Sequence, residues 1–191
     1  MGEGAGQDRQ REDYAREYTL RVTRTAIETI LAGLNDAGVR YVVVGGVAVV
    51  LHGHLRFTAD LDLVVALDSA NAHRAISALQ NLGFTPRPPV NAEDFADPSE
   101  REKWIREKGL TVFSLWSSRF AGTDVDLFVE EPLPFDEMEA RRVEAIAGDV
   151  RIPVVSIPDL IRLKSLAGRP KDLEDIRALE EIERLRPGNA G

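Results

Sequence analysis

Asp60 and Asp62 sit one residue apart at the head of an apolar run, in the stretch Arg56-Phe-Thr-Ala-Asp-Leu-Asp-Leu-Val-Val. Side chains on a strand alternate between its faces, so the two carboxylates point the same way. Upstream, the apolar run Tyr41-Val-Val-Val ends in Gly45-Gly46. Glycines without side chains let a backbone approach a phosphate closely, and the N–H groups of a helical turn opening there can bind an anion. A later segment, Asp124-Val-Asp126-Leu-Phe-Val, repeats the acidic alternation. Paired carboxylates beside a glycine turn outline a metal-plus-phosphate site. The chemistry that needs such a site is displacement of pyrophosphate from a nucleoside triphosphate. Its anionic transition state is stabilised by two Mg²⁺ ions about 3.5–4 Å apart, which prefer carboxylate oxygens. On this reading Asp60, Asp62 and Asp126 are the metal ligands, Mg²⁺ or Mn²⁺ is the cofactor and an NTP is the substrate. Asp124 is a rival to Asp126, because it shares the face. Arg56 and Thr58, just before Asp60, are placed to hold phosphate or to order the turn.

Positioning these groups takes a small α/β domain. Residues 13–36 read as a helix, with Ile27, Ile30, Leu31 and Leu34 on one buried face. Strands are expected at Val39 to Val44 and Leu61 to Ala66, and a helix carrying Ala72, Ala75, Ile76 and Leu79 follows, capped by Asp68 or Ser69. After a proline-rich stretch come a short helix at Pro98 to Glu107 and strands at Leu110 to Leu115 and Thr123 to Glu130. Residues 136–147 read as helical and Ile152 to Ser156 as a strand. Helices at Pro158 to Ala167 and Lys171 to Arg184 close the chain. The expected fold is therefore α/β, with a small mixed sheet flanked by helices. The expected division is a flexible tail at 1–12, the α/β domain at 13–156 and a C-terminal helical segment at 157–186 packed on it.

The 191 residues suffice for one domain with a core. A run of about 18 apolar residues is absent, so no membrane span is expected. The polar N-terminus lacks an apolar signal core, which implies a cytoplasmic protein. Cysteine is absent, excluding thiolate metal sites. The net charge of −8 disfavours a global basic field for nucleic acid but leaves room for a local patch. Other residues have plainer readings. His52 and His54 lack a third soft ligand for zinc, and His73 reads as exposed. Trp104 and Trp116 could stack a base, but packing is the expected role of both. Arg101, Lys103, Arg106 and Lys108 alternate with glutamates and read as a solvated, ion-paired helix face.

The order of a strand, Val44-Gly45-Gly46, a spacer, Asp60-x-Asp62 and a distant Asp126 resembles the polymerase-β-like nucleotidyltransferase superfamily. Arg56-x-Thr58-x-Asp60-x-Asp62 resembles its small bacterial AbiEii/MenT-like branch. So does Lys164-Ser-Leu-Ala-Gly-Arg169-Pro-Lys171-Asp172, followed by Asp175. The likeness covers about residues 38–67 and 123–183. It implies a nucleotidyltransferase-like fold in which Lys164 contacts the triphosphate. It also implies that Gly45, Gly46, Arg56 and Thr58 belong to the nucleotide site. Asp172 is carried over with them, although an acid at a helix start can serve only the dipole. Gly46 stands where many members have serine, which removes one hydroxyl ligand. The resemblance implies NMP transfer to an acceptor hydroxyl, as in a tRNA-modifying toxin with an antitoxin partner. Two alternatives stay open: an adenylyltransferase for lincosamide or aminoglycoside antibiotics, and a non-catalytic nucleotide- or protein-binding module.

Overall fold

A computed structural model describes residues 25–186. The tail expected at 1–12 and the first part of the helix expected over 13–36 lie outside the described residues. The remainder of that helix, α1, covers residues 25–36 and buries Ile30, Leu31 and Leu34 completely. It leads into β1 (Tyr41–Val43), α2 (Gly45–Leu51), β2 (Leu61–Val65) and α3 (Ser69–Asn81). Then follow β3 (Thr85–Pro86), a 3₁₀ turn at Ala92–Ala96, α4 (Pro98–Lys108) and β4 (Val112–Trp116). A second 3₁₀ turn, Ser118–Phe120, precedes β5 (Val125–Phe128), α5 (Phe135–Arg141), β6 (Val143–Ala147) and β7 (Val150–Val154). Helices α6 (Ile157–Ala167) and α7 (Pro170–Leu185) end the described chain.

The strands form one mixed seven-stranded sheet in the order β3-β4-β5-β2-β1-β7-β6. Parallel pairs β2–β5 and β1–β7 alternate with antiparallel pairs β1–β2 and β4–β5. The central strands are valine- and leucine-rich because both faces are largely covered. Leu61, Leu63, Val65, Val125 and Leu127 are fully buried on one face, so Asp62 and Asp126 must emerge on the other. Helix α3 starts on the Asp68 carboxylate, which accepts from the Asn71 N–H at 2.9 Å. Buried Asn71 then ties α3 to β1 and β2, donating to the carbonyls of Arg40 (3.0 Å) and Ala66 (2.9 Å). Phe113 stacks between Phe95 and Trp104, with centroids 5.5 Å and 5.2 Å away.

Three local expectations change. Residues 143–147 are not helical: after α5 the chain turns at Gly148 (φ 59°) and pairs β6 with β7 from Val143↔Val154 to Ala147↔Val150. The Gly-Asp pair between two runs that alternate in exposure is a hairpin signal, and it outweighs the helix-forming Glu and Ala. Arg101 is not on a solvated face. It is 6% exposed and donates to the carbonyls of Phe95 (2.6 Å) and Leu67 (3.1 Å). Lys103 and Arg106 do pair with Glu100 and Glu107 on the open side. Finally, the two tryptophans differ: Trp104 packs at 2% exposure, whereas Trp116 stands 42% exposed on β4.

Candidate active site

Register brings two predicted carboxylates side by side. Asp62 on β2 pairs directly with Asp126 on β5, and parallel neighbours lie about 4.8 Å apart. Asp60 precedes β2 by one residue, and the Leu61 N–H donates to the Asp124 carbonyl at 2.9 Å, which keeps Asp60 level with Asp124. Two rows of groups therefore cross the open face, Asp62–Asp126–Ser114 and Asp60–Asp124–Trp116. In the first row the Ser114 hydroxyl hydrogen-bonds Asp126. In the second, Arg87 claims Asp124, donating from Nη2 to Oδ1 at 2.8 Å and from Nε to Oδ2. Of the two rivals, Asp126 faces Asp62, and Asp124 pairs with Arg87.

Gly45 and Gly46 lie against the carboxylates and the loop that precedes them. Gly45 has φ +63°, and a Cβ there would overlap the Asp62 side chain. A Cβ on Gly46 would run into Thr58 and Arg56. The Gly46 N–H hydrogen-bonds Asp62. The glycine turn thus seats the second aspartate, and Arg56 and Thr58 close over it. Burial, reinforced by Asp126 and Asp60, pushes the Asp62 carboxyl up to about 6 against the pull of the Gly46 amide. Burial also raises Asp126, with help from Asp60 and Asp124 and against the Ser114 hydrogen bond.

A cleft of about 670 Å³ opens beside these groups. Gly45, Gly46, Arg56, Thr58, Asp60, Asp62, Asp126 and Lys164 all line it, together with Arg169 and Lys171. Arg169 and Lys171 add two cations that the aspartate motifs do not point to; their signal is the basic spacing around Pro170 at the start of α7. Lys164 is 4% exposed, and its ammonium donates to Asp172 Oδ1 at 3.2 Å and to Asp175 Oδ2 at 2.6 Å. Asp175 also meets Arg56 Nε at 2.9 Å through its other oxygen. Asp172 is fully buried behind the lining. It accepts from the Arg169 backbone at 3.2 Å and from Arg169 Nε at 2.7 Å, closing a capping box on α7. Its connection to the cleft runs through Lys164 and Arg169. Burial raises its carboxyl, but hydrogen bonds from Arg169 and Lys164 outweigh burial and hold it below the usual range.

His52 serves the fold, its Nε2 lying 2.8 Å from the Val155 carbonyl. Among the described residues no three His, Asp or Glu side chains already stand in ligand geometry. The donor set nonetheless fits a divalent cation. Two half-buried carboxylates face each other with a third beside them, all oxygen donors, and their mutual repulsion is what a bound cation relieves. No helix among the described residues is long and apolar enough to cross a membrane.

The fold has solved counterparts. The lincosamide antibiotic adenylyltransferase LnuA, in its lincomycin-bound crystal structure, aligns with TM-score 0.56 at 19% identity, covering 83% of this chain and 96% of that one. The antibiotic-resistance factor ANT(2'')-Ia aligns with TM-score 0.54 at 16% identity, covering 88% and 90%. An antigenic nucleotidyltransferase-like protein from Paracoccidioides brasiliensis aligns with TM-score 0.56 at 21% identity, covering 88% and 78%. At these identities the likeness is one of fold. No curated protein matches the chain in sequence. A family model, the nucleotidyl transferase AbiEii toxin of type IV TA systems, matches residues 29–189. With five-sixths of its length matched, the chain belongs to the AbiEii nucleotidyltransferase toxin family.

Proposed function

We propose that this nucleotidyltransferase moves a nucleoside monophosphate from an NTP to an acceptor hydroxyl, with Asp60, Asp62 and Asp126 holding Mg²⁺ or Mn²⁺. The observation that carries this reading is the Asp62↔Asp126 register pair standing in a cleft that also holds four cations, Arg56, Lys164, Arg169 and Lys171. Carboxylates supply the metal ligands; Lys171, with the positive charge left over when Asp172 and Asp175 offset Arg56, Lys164 and Arg169, attracts a triphosphate. The divalent cation would supply charge neutralisation at the reacting phosphate. Asp126, raised by burial, can take the proton of the attacking hydroxyl, while Ser114 fixes its carboxylate. Gly45 and Gly46 hold Asp62 in place, and Thr58 and Arg56 pack over that turn. Lys164, Arg169 and Lys171 draw the leaving pyrophosphate away. As a member of a type IV toxin family, the protein would act in the cytoplasm, where NTPs are found, opposite an antitoxin. Its acceptor would be a cellular RNA such as tRNA.

The test is incubation of the purified protein with Mg²⁺ and each α-³²P-labelled NTP. Total tRNA is offered in one arm, and lincosamides and aminoglycosides in another. Label transfer that Asp62→Asn abolishes is the expected result. Transfer only to a drug would replace the RNA reading with antibiotic adenylylation. NTP binding without transfer to any acceptor would leave a binding module.

A further inference from the structure

An exposed tryptophan beside a row of active-site carboxylates needs an account that packing does not give. Trp116 and Ser114 are two residues apart on β4 and share its open face. Ser114 is the register partner of Asp126. Trp116 therefore stands about 7 Å further along its strand and one strand over from Asp126. Arg87, following the edge strand β3, fixes the ring's surroundings. Its backbone N–H donates to the Ser114 carbonyl at 2.9 Å, and its guanidinium lies over the indole at 5.8 Å while gripping Asp124. The ring is braced by a cation–π contact and a bidentate ion pair, yet remains 42% open to solvent.

Trp116 and Arg87 form a shelf on the side of the carboxylates away from the cleft. The cleft runs from Asp60, Asp62 and Asp126 towards Val112, Phe128 and the α6–α7 cations, and neither Trp116 nor Arg87 lines it. An in-line displacement at phosphorus brings the nucleophile in from the side opposite the leaving pyrophosphate. With the triphosphate among the cations, the entering hydroxyl comes from the Trp116 side. This argument rests on the function proposed above and deepens it.

We infer that Trp116, braced by Arg87, is the acceptor platform, and that it stacks the unpaired nucleobase adjoining the accepting ribose hydroxyl. A flat indole takes any base face, and the Arg87–Asp124 pair leaves no net negative charge beside it to repel the acceptor's phosphate backbone. A polycationic drug finds the opposite, because Asp124, the carboxylate nearest the ring, is already neutralised by Arg87. The net charge of −8 fits an acceptor held by one end rather than along a duplex.

The test combines binding and kinetics. The chain has two tryptophans, and Trp104 is buried, so fluorescence quenching by a short single-stranded oligoribonucleotide reports on Trp116. Quenching is expected in the wild-type protein and lost in Trp116→Phe, whose remaining emission verifies the fold. Trp116→Ala is expected to raise the KM for acceptor RNA about tenfold or more, with the KM for NTP unchanged. Trp116→Phe should recover most of that loss. Unchanged acceptor KM in Trp116→Ala would overturn the inference, as would a rise confined to the NTP. A sedimentation shift in Trp116→Ala without RNA would assign the shelf to a protein interface instead. Quenching without transfer in the wild-type protein would keep the platform and sink the transfer reading. Transfer with neither quenching nor a KM effect would sink the platform alone.

Discussion

The ammonium of Lys164 lies 2.6 Å from Oδ2 of Asp175, and both side chains are almost wholly buried. The other oxygen of Asp175 meets Arg56 Nε at 2.9 Å. One carboxylate on α7 thus binds a lysine of α6 and the arginine that covers Gly46. Removing it leaves the buried Lys164 with Asp172 alone, at 3.2 Å, so the loss is expected below the roughly 3–5 kcal/mol of a fully broken buried pair. Asp175→Ala is expected to lower the urea midpoint accordingly without changing the denaturant slope. Asp175→Asn, which keeps an acceptor oxygen, should lose less. An Asp175→Ala protein of wild-type stability would show that Asp172 alone satisfies Lys164.

Gly45 and Gly46 look equivalent in sequence but face different neighbours. A methyl on Gly45 meets the Asp62 side chain from Cβ to carboxylate, at a φ of +63° that L residues avoid. A methyl on Gly46 meets the Thr58 hydroxyl and the tip of Arg56, both able to move. Gly45→Ala should therefore reduce kcat/KM about 100-fold by displacing Asp62, the carboxylate proposed to hold the metal. Gly46→Ala should reduce it less and act mainly on the KM for NTP. Equal losses in the two variants would contradict this ordering.

Asp62 illustrates a conflict between stability and function. Its carboxylate is buried beside Asp126 and Asp60, which raises its pKa to about 6. A neutral amide of the same shape keeps the Gly46 hydrogen bond and removes the repulsion. Asp62→Asn is expected to stabilise the metal-free protein by about 1–2 kcal/mol while abolishing transfer. Calorimetry in EDTA and the labelled-NTP assay read the two effects separately. A destabilised Asp62→Asn protein would mean that the charge is compensated in the fold.

The carboxylate row was legible because strand alternation is a strictly local rule. Asp60 and Asp62 needed only a period of two to share a face, whereas the placing of Asp126 opposite Asp62 comes from the β2–β5 register. Pairings between distant segments were not legible. Arg87 and Asp124 are 37 residues apart, and no periodicity links them. Lys164 and Asp175 meet only because α6 and α7 fold back at Gly168, whose φ of 62° reverses the chain. The same limit explains Trp116. Its register partner is Thr85 on the edge strand β3, and no local period in the sequence links the two. The strand at 143–147 had a local signal in Gly148-Asp149, but its residues favour helix when β7 is not considered.

Asp159 gives the fold an acid-sensitive joint between α5 and α6. Arg141 donates to its two oxygens at 2.9 and 3.1 Å, and the Ser156 hydroxyl donates at 3.0 Å at the start of α6. Burial raises the Asp159 carboxyl, but the hydrogen bonds from Arg141 and Ser156 outweigh burial and bring it below the ordinary value. A depressed folded-state pKa contributes stability that is fully present above the unfolded value of about 3.9. That contribution is lost as pH falls through the lower folded value. Asp172, held low by Arg169 and Lys164, acts with the same sign. The protein is therefore expected to lose stability on acidification below about pH 4. Arg141→Met should shift the acid-unfolding midpoint to higher pH, as followed by circular dichroism. At pH 7 the same variant should lose stability too, because Asp159 is then charged without its main partner. An acid midpoint unchanged by Arg141→Met would assign the acid sensitivity to Asp172 and the α6–α7 cluster instead.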